Sequence, residues 1–154
     1  MEVKTQYLTD HFTLQEMTRS SMGAANHLDN TPNSEQRYNL YCLCEDILEP
    51  LRCHFGMPVV VSSGFRSPEV NKVVKGATKS QHMQGEAADI HGPGWLLLSL
   101  DEKVALLVRW AAWIMENCSY DQLILELRSN DAWLHVSSKA VENNRKQFKT
   151  IIKK

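Results

Sequence analysis

The sequence predicts an α+β domain in which helices pack on one small antiparallel sheet. Two long segments carry apolar residues at spacings of three and four, the period of a helix with one buried face. Four short runs with strand character are bounded by glycine or polar turns. No repeat or low-complexity linker divides the 154 residues. At 43% hydrophobic residues, a single domain over 1–154 can bury roughly two-thirds of its unfolded surface.

Thr13-Leu14-Gln15-Glu16 has the capping-box pattern and starts a short helix near Thr13, which the turn-rich stretch from Asn26 to Asn33 ends. Thr31-Pro32 then offers a cap and a first-turn proline for a long helix from Pro32 or Ser34 to Phe55. Leu40, Leu43, Ile47, Leu48, Leu51 and Phe55 form its apolar stripe, and Gly56 stops it. Met57 to Ser63 reads as a buried strand, and Ser67-Pro68-Glu69 opens another short helix. A polar loop from Lys75 to Gln81 leads to a strand at Glu86 to Ile90, ended by His91-Gly92-Pro93-Gly94. Ser99-Leu100-Asp101-Glu102 caps a second long helix to about Asn117, with Val104, Leu107, Val108, Ala111, Ile114 and Met115 as the expected buried face. Asp121 to Leu127 and Ala132 to Ser137 read as strands joined by Arg128-Ser129-Asn130-Asp131, and Arg145 to Ile152 as either a strand or a helix.

The formal net charge is -1, from 17 basic and 18 acidic residues, so no nucleic-acid partner is expected. The basic C-terminal residues Arg145, Lys146, Lys149, Lys153 and Lys154 read as a solvated face. The first ten residues lack the apolar core of a signal peptide, and no apolar run is long enough to span a membrane. The expectation is a monomer made without an export signal, released to the cell wall by another route, or one whose leader lies outside this sequence. Cys42, Cys44, Cys53 and Cys118 are expected as buried free thiols, a usage that suits a reducing compartment.

The chemistry concentrates in Ser80-Gln81-His82-Met83-Gln84-Gly85-Glu86-Ala87-Ala88-Asp89 and in Trp133-Leu134-His135-Val136. Two imidazoles and one carboxylate, His82, Asp89 and His135, suit one Zn2+ ion, and three protein ligands leave the open position of a catalytic site. If Leu127 pairs with Ala132, Glu126 faces Trp133 and becomes a diagonal neighbour of His135, where a general base belongs. Asp131, four residues before His135, competes for that role, although turn carboxylates often bind the local backbone. Arg66, at the end of an expected central strand, can hold a carboxylate or stabilise an oxyanion. Ser80 can bind substrate or shape its loop, and His91 either shares the strand face of Asp89, if the strand extends that far, and lines the cleft, or lies exposed at its turn.

Ser80-x-His82-x-x-Gly85-x-Ala87-x-Asp89, with Trp133-x-His135 downstream and Ser63-Gly64-Phe65-Arg66-Ser67 upstream, resembles the zinc D-alanyl-D-alanine carboxypeptidase family, whose fold is related to the Hedgehog signalling domain. The resemblance looks closest to compact bacterial and phage members acting on peptidoglycan peptides. It implies that His82, Asp89 and His135 hold zinc, that an acid near His135 is the base, and that Arg66 and Ser80 contact substrate or transition state. Many relatives place the acid three residues before the second histidine, where this chain has Ala132. The implied function is a zinc metallopeptidase cleaving next to D-amino acids in peptidoglycan, as a carboxypeptidase or an endopeptidase. The second reading is an inactive zinc-containing peptide- or wall-binding module of the same fold.

Overall fold

A computed structural model describes residues 2, 4–140 and 143–154. Six α-helices and five strands follow in the order α1 (Leu14–Thr18), α2 (Ser21–Ala25), α3 (Ser34–Leu43), α4 (Glu49–Phe55), β1 (Val60–Ser63), α5 (Pro68–Val73), β2 (Ala87–His91), α6 (Leu100–Asn117), β3 (Gln122–Arg128), β4 (Asp131–Ser137) and β5 (Gln147–Lys153). The capping boxes at Thr13 and Ser99 are formed as the sequence predicts. The short helix expected between Thr13 and the turn-rich stretch at Asn26 is broken into two, α1 and then α2, which Ser20 caps.

The long helix from Ser34 to Phe55 forms, but not as a uniform α-helix: Cys44–Leu48 widens into a π turn between α3 and α4. Pro50 explains the departure. It lacks an N–H, and its ring crowds the carbonyl four residues earlier, so the ladder loosens ahead of it. Leu40, Leu43, Ile47, Leu48 and Leu51 of the stripe are all fully buried, and Phe55 at its end is partly buried against the core.

The sheet runs β1-β2-β4-β3-β5. Its first four strands pair antiparallel, whereas β5 lies parallel to β3. The segment whose secondary structure was open is therefore a strand, and the sheet is mixed. β1, expected to be central, is an edge strand. Alternation along β3 and β4 separates two faces. Leu123, Leu125, Ala132, Leu134 and Val136 face the helices and join the core with Met17, Leu107, Trp110 and Ile114. On α6 the buried face is rotated from the expected one: Trp110 is fully buried, and Val108 and Met115 are exposed. Of the four free thiols only Cys44 is buried, which corrects the expectation for the others.

β5 is secured by one buried anion. The Asp121 side chain accepts hydrogen bonds from the Arg145 backbone N–H at 2.7 Å and from its guanidinium at 2.7 Å and 3.1 Å. Burial acts to raise the Asp121 pKa, but the Arg145 hydrogen bonds and charge overcome it and hold the carboxyl below its ordinary value. The stabilisation is thus full above the ordinary carboxylate pKa and disappears as pH falls toward the lowered one. Asp121→Asn is expected to cost about 2 kcal/mol at neutral pH and to flatten the acid limb of the stability profile, read by urea denaturation between pH 3 and pH 7 on the scale of roughly one charged hydrogen-bond network.

Candidate metal centre

The solvent-facing side of the sheet carries one transverse row of paired residues: Ser63 on β1, Asp89 on β2, His135 on β4, Ile124 on β3 and Lys149 on β5. Asp89 and His135 are direct cross-strand partners, so backbone pairing sets their separation. His82 enters from above, in a 3-10 turn, Gln81–Gln84, that Ser80 caps by accepting from the His82 N–H. Gly85 ends the turn at φ 73°, and a Cβ there would meet the Gln36 carbonyl oxygen at 2.4 Å. Only glycine tolerates both conditions.

The three side chains converge. His82, Asp89 and His135 are 3%, 8% and 9% exposed, and their candidate donor atoms all lie within 4.8 Å of one another. Asp89 Oδ1 is 3.0 Å from His135 Nδ1 and 3.4 Å from His82 Nε2. Tetrahedral zinc with bonds near 2.0–2.1 Å separates its ligand atoms by roughly 3.3 Å, so the donor set and spacing fit that ion. His82 is also oriented for it. Its Nδ1–H donates to the Gly64 carbonyl at 2.7 Å, which leaves the Nε2 lone pair facing Asp89. Gly64 itself is pinned: an added Cβ would lie 2.3 Å from the Met17 carbonyl oxygen. Burial acts to raise the Asp89 pKa, but the charge and hydrogen bonds of His82 and His135 prevail and hold it far below the carboxylate range.

Arg66 braces the carboxylate from behind. Its guanidinium donates to Ser63 Oγ at 3.0 Å, to Asn71 Oδ1 at 3.3 Å and to Asp89 Oδ2 at 3.4 Å. Burial lowers the arginine's pKa, opposed by the charges of Asp89 and Glu126. The sequence reading did not anticipate Ser63, Gly64 or Asn71 as supports, because their roles depend on a turn folding back over β1.

A cleft of about 500 Å³ opens over this row, lined by Arg66, Ser80, His82, Asp89, Glu126 and His135 among others. The β3–β4 register pairs Leu127 with Ala132, Glu126 with Trp133 and Ile124 with His135, the pairing predicted from the sequence. Glu126 is accordingly a diagonal neighbour of His135, roughly 7–8 Å across the sheet. Asp131 is not brought to the site. Four residues along the strand place it roughly 13 Å from His135, and its carboxylate accepts from Lys103 at 3.2 Å, Trp95 Nε1 at 3.1 Å and the Ala132 N–H at 2.8 Å. His91 turns away as well, bonding the Gly92 carbonyl and stacking on Trp95. The basic C-terminal residues are exposed, as the solvated-face reading expects, and three of them, Arg145, Lys149 and Lys153, also line the cleft.

Comparison with known proteins agrees with this geometry. Residues 10–112 match the family model described as Peptidase M15, a span that includes Arg66, Ser80, His82 and Asp89 and stops before Glu126 and His135. No curated protein matches the chain. With well over half its length covered, and with an α+β fold of the kind that family has, the chain belongs to the peptidase M15 family.

Proposed function

We propose that this protein is a zinc-dependent metallopeptidase that hydrolyses peptide bonds next to D-amino acids in peptidoglycan stem or cross-link peptides. The observation that carries the reading is the convergence of three buried donors, His82, Asp89 and His135, at the floor of an open cleft in an M15 chain. Those residues would hold one zinc ion, which when bound supplies Lewis acidity for a scissile carbonyl and makes water nucleophilic near neutral pH.

The chain's own groups divide the remaining work. Glu126 takes a proton from the attacking water and returns it to the leaving amine, the task of a carboxylate beside but not within the ligand set. Arg66 holds Asp89 in place through Oδ2 and presents positive charge to the cleft, where negative charge develops on the substrate. Ser80 shapes the turn that presents His82, and its place in the cleft wall puts it within reach of substrate.

The test is digestion of defined muropeptides by zinc-loaded protein, followed by mass spectrometry. Cleavage that stops on chelation and returns with zinc is expected. Uncut peptides with one zinc bound per chain would instead favour a binding module of the same fold.

A further inference from the structure

The cleft is far more cationic than the chain that forms it. Overall, 17 basic residues face 18 acidic ones. The cleft is lined by seven of the basic residues and by only two carboxylates, Asp89 and Glu126. Three of these cations are paired: Arg66 with Asp89, Arg145 with Asp121 and Lys153 with Glu126. Lys75, Lys79, Arg128 and Lys149 have no ion-pair partner among the described residues. They come from two sides, Lys75 and Lys79 from the loop after α5 and Arg128 and Lys149 from the β3–β5 edge. Like charges held around a concave surface focus a positive potential, which an anionic ligand relieves.

Position narrows the ligand. Lys149 stands in the same transverse row as Asp89 and His135, two strands beyond His135. At roughly 4.8 Å per strand it lies on the order of 10 Å from His135, the span of about three residues of extended peptide. Building on the peptidase reading above, we propose that the cleft selects short acidic peptides, with β5 supplying a cationic wall that binds a carboxylate about three residues from the scissile bond. β5 lies outside the span that matches the family, so this wall is a feature of the chain beyond the matched region.

Calorimetry with a tetrapeptide bearing two free carboxylates and with its bis-amide tests the proposal. The zinc-loaded protein carries Glu126→Gln, so turnover does not enter. The acidic peptide is expected to bind about tenfold more tightly at about 50 mM salt, with the preference collapsing at about 500 mM. Adding Lys79→Gln and Lys149→Gln should reduce it to about twofold, whereas Lys4→Gln with Arg19→Gln, the same loss of two charges outside the cleft, should leave it intact. Equal binding of the two peptides, a preference that survives the double substitution in protein of unchanged melting temperature, or tighter binding of inorganic polyphosphate than of the acidic peptide would each overturn it. Cleavage is followed separately on protein with Glu126 intact. Discrimination without cleavage would support the cationic wall while refuting the peptidase reading.

Discussion

Glu126→Gln is expected to lower kcat by about 10²–10⁴-fold while leaving zinc content and melting temperature unchanged, the signature of a lost proton carrier. The substitution keeps the side chain's shape and removes its basicity. Its one ion pair among the described residues, with Lys153 at 3.8 Å, is long and the lysine is more than half exposed, so the fold loses little when it goes. KM should move less than kcat, because the missing interaction acts chiefly in the transition state. A kcat within threefold of the parent would remove Glu126 from the role. Asp131→Asn serves as the counter-test: it should keep kcat and lose some stability, since Asp131 ties β4 to Lys103 and Trp95.

The second large effect is at Asp89. Asp89→Ala removes a candidate ligand and also strands Arg66, whose side chain is only 16% exposed, without its counter-charge. Loss of one partner from a buried pair costs about 3 kcal/mol or more. The variant should therefore retain no zinc after dialysis and also unfold at lower urea concentration than the parent, even when both are measured in chelator. His135→Ala separates the two contributions. It should lose zinc equally but, in chelator, fall much less in stability, because the Arg66–Asp89 pair survives. Elemental analysis with urea denaturation reads both, and equal stability losses would show that Arg66 does not depend on Asp89.

Much of this was legible in the sequence, because the features concerned obey short-range rules. Capping boxes, the apolar stripe of the long helix and the period-two alternation that places Glu126 and His135 on one face all survive into the fold. The features that escaped depend on long-range contacts. The exposed flank of α6 could not be told from its buried one, since Trp110 competes with Val108 and Met115 for the core. The pairing of β5 parallel to β3 joins segments separated by the whole of β4, and no local pattern encodes it. That omission hid the proposed cationic wall, although Lys149 and Lys153, four residues apart, share one face of any extended strand.

The register that pairs Asp89 with His135 has a thermodynamic consequence. Two of the three donors are set by backbone pairing inside the sheet, and the third hangs from the Gly64 carbonyl, so folding itself assembles the site. An ion that binds only the assembled site stabilises the folded chain by mass action, by about 4 kcal/mol at a free concentration 1,000 times its dissociation constant. With zinc as that ion, the function proposed above carries a dependence of stability on supply: scarcity would expose the chain to unfolding and abundance would preserve it.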